Sequence, residues 1–466
     1  MTRSNTGSVL ASIDGVGPLL LTGAAIVTVD PAVPDLPAGD VFIEGGRIVA
    51  VGADLRSDPE HADRLRTATA VDLRGRILAP GFVDTHRHAW QSQFRRSMPD
   101  VGDLASYVGT TLGEIAPAYT PQDMLIGTRL AALAALDCGI TTMLDFSHNS
   151  RSAAHTDAAI EALVASGIRG VHASMAPHFG SWDEQWPADL ARIVADRNGM
   201  AGGRLTVRMG MLADGAIGGE RIAYGVEPAA LARDLGIGVS IDAVFGGSSS
   251  AVILDWERQG ILGPSVELIH ATGLTGDAWR AIGDTGASVS LAPTSDSQIG
   301  LETAVPAIDE ALAVGVRPGL SIDVEVALAG DMITQMRVLL AIQRMRAVED
   351  GARTGRPAGP RITTHDVLEF ATHAGARTVG LGDETGSITP GKRADLIIVD
   401  AESIATMPRN DAIGTLVLGA GTREIEGVLV DGIARKWAGE LVGVDVDRLR
   451  EQVIASRAAI EGRLRG

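Results

Sequence analysis

Hydrophobic and polar positions along this chain fall into three regimes. From Pro18 to Leu78 short apolar runs are broken by turn residues: Leu19-Leu20-Leu21-Thr22-Gly23, Ala25-Ile26-Val27-Thr28-Val29-Asp30, and the stretch from Asp40 to Gly52, where two strands flank Gly45-Gly46. A Gly-Gly pair between alternating segments is a hairpin signal. The same texture returns in Ala394 to Asp400 and Gly427 to Gly432. Two separated all-β segments predict one small composite β-sandwich built from residues 1–78 and 381–440.

Between them strand-like and helix-like segments alternate, the signature of a parallel α/β fold. The strands read as the run ending Thr85-His86-Arg87-His88, then Thr141 to Phe146, Gly170 to Ser174, Leu205 to Gly210, Gly238 to Asp242, Val266 to His270, Ala287 to Leu291 and Pro318 to Asp323. Eight such strands close a (β/α)8 TIM-type barrel, here residues 79–380. Met124 to Leu136 and Asp157 to Ser166 read as helices between strands, Gly351 to Gly359 as a surface loop, and 441–466 as a C-terminal helix. The long helix after Met332 and this terminal helix offer surfaces for a homo-oligomer.

Composition narrows the chemistry. A chain of 466 residues accommodates a large barrel and a smaller domain. Its formal charge of −18 argues against nucleic acid or an anionic membrane as partner. No apolar run of about 20 residues predicts a membrane span, and residues 1–6 lack the pattern of a secretory leader, so a cytoplasmic location is expected. Cys138 is the only cysteine, and Lys392 and Lys436 are the only lysines. Multi-thiolate metal sites and Schiff-base or bridging lysines in the barrel are thereby excluded.

His86 and His88 stand two residues apart on a strand, so both point to one face and Arg87, a structural residue on this reading, to the other. In a barrel, chemistry collects where strands end. His270 ends the sixth strand and Asp323 the eighth. A lone His270 would read as a satisfied core histidine; sharing a rim with the pair reverses that. Three imidazoles and a carboxylate suit one divalent ion, zinc with iron as the alternative. Asp323 is then both ligand and base.

The motifs Pro80-Gly81-Phe82-Val83-Asp84-Thr85-His86-Arg87-His88, Leu268-Ile269-His270-Ala271-Thr272-Gly273-Leu274, Leu291-Ala292-Pro293-Thr294-Ser295, Ser321-Ile322-Asp323 and Gly386 to Leu396 resemble the amidohydrolase superfamily, within it the cytosine, guanine and adenosine-type deaminases and triazine hydrolases. The resemblance implies a mononuclear metal barrel that hydrolyses C–N or related bonds in small cyclic compounds. The chain departs from that pattern at the fifth strand, where the subgroup carries a histidine ligand and, three residues on, a glutamate acid/base: here they are Asp242 and Phe245. Asp242 is either a ligand in a two-His, two-Asp site, with His270 near the bound water, or a base or substrate contact. The missing glutamate argues against a standard nucleobase deaminase, whose ring nitrogen must be protonated as water adds.

Secondary candidates lie on neighbouring loops. Trp90, Gln91 and His178 are expected to contact substrate; Asp145, His148, Trp182 and Trp186 lie nearby, the tryptophans as packing residues. Glu325, Asp331 and Arg337 read as a solvated or internally paired face of a helix after Asp323. The leading expectation is a metal-dependent hydrolase of a cyclic amide, amidine or amino-substituted heterocycle, with Asp323, His270 and Asp242 as its catalytic set. Its rivals are a lyase, isomerase or cyclase using Asp242 or Asp323 as base, and a catalytically silent barrel acting in assembly or binding.

Overall fold

The first three barrel strands, Phe82–Arg87, Ile140–Ser147 and Arg169–Ser174, are buried at every position. A strand covered on both faces is what a parallel barrel requires. With Leu205–Leu212, Val239–Asp242, Val266–Ile269, Ser288–Leu291 and Gly319–Leu320 they form a closed parallel barrel in chain order. The eighth strand closes it by pairing Leu320 with Asp84. All eight coincide with strands expected from the hydrophobic pattern. The computed structural model describes residues 13, 17–301, 303–357, 359 and 361–465; the segment 1–6 read for a leader lies outside them.

The connecting helices begin and end on local chemistry. Pro121–Asp137 starts with a capping box in which Thr120 and Asp123 satisfy each other's amides, with proline at the first helical position. The C-terminal helix Val446–Arg465 lies against it: Ser456 donates to Asp123 at 2.6 Å, and Ile460 is buried. The helix Met332–Thr354 runs through residues 351–354, so the loop expected from Gly351 begins only at Gly355 (φ 66°). Side-chain bonds from Arg353 and Thr354 back to Asp350 brace that last turn. Among the described residues no helix is long and apolar enough to cross a membrane.

Strands from the two chain ends join in one nine-stranded sheet, as the two β-rich segments predict. Along Leu396–Asp400, Leu396 and Ile398 enter a core with Leu19, Val41 and Leu429, whereas Ile397 and Val399 pack with the barrel cluster. Alternation thus gives the sheet one face of its own and one on the barrel. The sheet strand Arg76–Pro80 passes directly into the first barrel strand at Gly81, where a Cβ would meet the Thr141 side chain at 2.1 Å. Only glycine fits that step.

A buried ion cluster ties sheet to barrel. Arg169 at the start of the third strand donates to Asp395 at 2.6 and 3.0 Å and to Asp431 at 2.6 Å. Removing Asp395 takes two bonds from the buried Arg169 guanidinium, leaves it Asp431 as its one carboxylate partner, and strips the Asp431 amide and the Thr385 hydroxyl of their acceptor, so Asp395→Ala is expected to destabilise the protein by about 3–5 kcal/mol. Chemical denaturation against the parent protein measures this, and a loss below about 1 kcal/mol would show that the cluster is not a clamp.

Candidate active site

At the C-terminal rim of the barrel five polar side chains converge. The Nε2 atoms of His86 and His88 each lie 3.2 Å from Asp323 Oδ1. Asp242 Oδ1 stands 3.7 Å from His86 Nε2 and 3.9 Å from His270 Nε2, and the latter is 3.8 Å from Asp323 Oδ2. The backbone aims two of these residues by strain: His270 and Asp323, each just past its strand, both have φ 65°. Left-handed geometry in non-glycine residues costs on the order of 1–3 kcal/mol each and persists where packing enforces it.

Neighbours fix the ring orientations. His88 Nδ1 faces the Phe146 carbonyl at 3.3 Å and His270 Nδ1 faces Asp296 Oδ1 at 2.7 Å, so both rings turn Nε2 into the site. Ser295 donates to Asp323 Oδ2. Burial opposes a charged His270, yet the Asp296 bond and the carboxylates of Asp323 and Asp242 push it up to about 9. Burial would likewise raise Asp323, but His86 and His88 hold it well below the usual carboxylate range.

These residues suit a divalent ion. His86 Nε2 and Asp242 Oδ1 are buried without a hydrogen-bond partner, which is costly unless something else satisfies them. Nitrogen and oxygen ligands about 2.1 Å from one tetrahedral ion stand roughly 3.4 Å apart, close to the separations seen. Two overlapping triads, His86–His270–Asp323 and His86–His88–Asp242, have donor atoms within 4.8 Å of one another. Asp242, the departure at the fifth strand, therefore lies among the candidate ligands.

Above the cluster lies a pocket open to solvent at its mouth, about 670 Å3 with that solvent space included. His178 and His148 line it, stacked edge-to-face beyond His88 at centroid separations of 5.0 and 4.2 Å. Burial and the adjacent imidazoles keep both uncharged, His148 well below the usual range and His178 down to about 3. Trp90 and Gln91 do not line this cavity. Trp90 is fully buried against Tyr119 and His148, and Gln91 donates to the hydroxyl of Tyr107, whose residue does line it. The short helical turn Ala89–Phe94 draws both inward.

Other expectations resolve by burial. Asp145 pairs with His172 at 3.3 Å, and Trp186 donates to the Ser174 carbonyl. Trp182 packs on the main core and stacks with Arg221. Glu325 sits on no helix, because the helix starts at Met332 with Asp331 as its cap. It is buried in the connecting loop, bound to Arg95 at 2.9 Å and 3.6 Å from Arg87, which pairs with Asp84 at 2.6 Å. Arg337 donates to the carbonyls of Val417 and Ala420. Cys138 ends its helix with a thiol that burial pushes up to about 11, no nucleophile. Asp296 went unnoticed in the sequence, though it directly follows the motif ending Thr294-Ser295.

The orientation of His270 is open to test in the metal-free protein. Asp296→Asn should bring the His270 titration from about 9 back toward 6.5 or below, read by NMR of the imidazole protons. An unmoved titration would mean that the other carboxylates alone hold the charge.

A profile of the Amidohydrolase family matches residues 77–434. The chain is 28% identical over 427 residues to a 5-methylthioadenosine/S-adenosylhomocysteine deaminase of Symbiobacterium thermophilum, covering 89% of this chain and 92% of that protein. It is 28% identical over 432 residues to a 5'-deoxyadenosine deaminase of Methanosarcina mazei, covering 89% and 91%. Among solved structures it resembles a zinc-bound adenosine deaminase of Xanthomonas campestris, with TM-score 0.79, 20% identity and coverage of 96% and 100%. It also resembles an atrazine chlorohydrolase of Arthrobacter aurescens complexed with zinc, with TM-score 0.77, 22% identity and coverage of 95% and 100%. With the strand-end motifs, the barrel and the profile in agreement over most of its length, the chain belongs to the amidohydrolase family.

Proposed function

We propose that this protein is a metal-dependent hydrolase that cleaves a C–N bond of a small cyclic amide, amidine or amino-substituted heterocycle. The observation that carries the reading is the convergence of His86, His88, Asp242, His270 and Asp323 at the floor of one cavity. His86, His88, Asp242 and Asp323 are assigned as ligands of one divalent ion, zinc or alternatively iron, with His270 beside the attacking water. The ion, when bound, brings the ionisation of water near neutrality and polarises the substrate.

The protein's own groups do the rest. Asp323 accepts the proton of the attacking water at its carboxylate, and Ser295 steadies the second oxygen. His270, oriented by Asp296, donates from Nε2 to charge developing on the substrate. The proton held by Asp323 then passes to the departing nitrogen. His178 contacts the substrate from the cavity wall, while Trp90 and Gln91 act behind that wall through His148 and Tyr107. A small-molecule partner and a cytoplasmic location accompany the reading, and the −18 charge supports the exclusion of nucleic acid.

Reaction in heavy-oxygen water is expected to place one solvent oxygen in the product. A product without it would favour an elimination, isomerisation or cyclisation that uses Asp242 or Asp323 as base. Asp323→Asn should lower kcat by about 100-fold or more. For metal, elemental analysis should show His86→Ala and Asp242→Ala both depleted and Asp242→His loaded. If instead Asp242→Asn keeps its metal and loses turnover, Asp242 is the base.

A further inference from the structure

The side wall of the pocket is packed as a unit of its own. Tyr107, Leu112, Ile299 and Val324 line the pocket and belong, with Trp90 and Phe94, to a hydrophobic cluster separate from the barrel core. A further member, Ile460, comes from the C-terminal helix Val446–Arg465 and is fully buried. That helix lies beyond residue 434, where the match to the family profile ends. It packs on Pro121–Asp137, Ala89–Phe94, Val108–Ile115 and Ala116–Ala118. The segment Leu104 to Leu112, which overlaps the third of these, presents Leu104, Tyr107, Val108 and Leu112 to the pocket.

Buried polar contacts lock the helix to the layer behind that wall. Ser456 Oγ donates to Asp123 Oδ1 at 2.6 Å and accepts the Gln93 amide at 3.2 Å, a double duty that a hydroxyl performs with one atom. Gln93 also donates to the Asp123 carbonyl at 2.7 Å and accepts the Tyr119 hydroxyl at 3.2 Å. Arg463 donates to Asp123 Oδ2 and, at 2.6 Å, to the Ala118 carbonyl. Tyr119 meets Trp90 edge-on at 4.8 Å between ring centroids, and Trp90 meets His148, a pocket residue, at 5.5 Å. At Gly127 a Cβ would stand 2.3 Å from the Trp90 carbonyl oxygen and 2.4 Å from Gln93 Oε1, so the turn carrying both sits directly on the helix Pro121–Asp137.

Elsewhere the terminal helix is sparsely covered. Leu449, Ser456 and Ile460 are its buried residues, and Ile454 is 61% exposed. So little buried area adds little to the core, and what the helix contributes is concentrated where it touches the wall and its supports.

We propose, resting on the reading of this pocket as the active site, that the C-terminal helix is a clasp that holds the pocket wall in place. Ser456 and Arg463 are positioning residues that act through Asp123, Gln93 and Tyr119, and Ile460 acts through the cluster it shares with Tyr107 and Leu112. Release of the clasp lets residues 104–119 open locally and widens the way to the proposed metal ligands, which stand on the barrel's own strand ends.

The test follows amide hydrogen exchange in the full chain loaded with zinc, comparing the parent with Ser456→Ala, Arg463→Met and the double variant. Glu451→Gln, on the exposed side of the same helix, is the control. In the double variant, exchange over residues 89–94 and 104–119 should quicken about tenfold, the scale of one or two buried hydrogen bonds. The barrel strands and Leu396–Asp400 should keep the parent rate, and the control should change neither. Zinc should also pass to the chelator pyridine-2,6-dicarboxylate about tenfold faster. Faster exchange spread evenly over the chain, unchanged exchange at 104–119, or an unchanged rate of zinc transfer overturns the proposal. Local opening in a protein that takes up no zinc would uphold the clasp and count against the metal-dependent reading instead.

Discussion

The rim depends on one electrostatic constraint: the Asp323 carboxylate is buried and must be compensated on every side. His86 and His88 meet one of its oxygens at 3.2 Å, and Ser295 meets the other. An isolated buried carboxylate would take up a proton and lose its ability to accept one from water. Three imidazoles around it keep it ionised, and this requires strands one, six and eight to end at one height. The left-handed residues His270 and Asp323 are where the chain bends to meet that demand.

The layer behind the rim follows from the same strand. His86 points inward, and Arg87 points away into a buried network that meets solvent only at Arg95. Its partners are Asp84, which also accepts the Ile322 amide at 3.0 Å, and Glu325, which holds Arg95 and Ser92. Asp84 thus grips the residue before Asp323 and Glu325 lies two residues after it. The ion pairs of Asp84 and Arg87 on the first strand thus fix the eighth strand's end, and so the carboxylate that His86 and His88 meet.

Much of this was legible in the sequence because barrel and rim are periodic. Eight apolar runs separated by helix-length segments, with His-x-His on the first, place strand ends and floor residues without reference to distant contacts. Asp296 and Glu325 were not legible in the same way. Asp296 acts on His270 from 26 residues away, and Glu325 is bound by arginines more than 200 residues earlier in the chain, so nothing local marks either. Trp90 and Gln91 illustrate the opposite limit. Proximity to His88 in sequence suggested the cavity, but a tight helical turn folds them one layer behind it.

Floor and wall of the cavity therefore carry different kinds of information. The floor is set by strand ends, whose geometry the barrel imposes on every side chain, and there the chain keeps its family's donor types except at Asp242. The wall is set by loops and by the segment Leu104 to Leu112, which the barrel does not constrain. Phe245 lies where the two meet, three residues beyond Asp242. A histidine and a glutamate at these positions would supply a neutral ligand and a proton donor. An aspartate and a phenylalanine supply an anionic ligand and an apolar face, moving charge from the wall to the floor. Under the ligand assignment proposed above, Asp242 and Phe245 together make the metal site more acidic and the adjoining wall less polar than a histidine and a glutamate would.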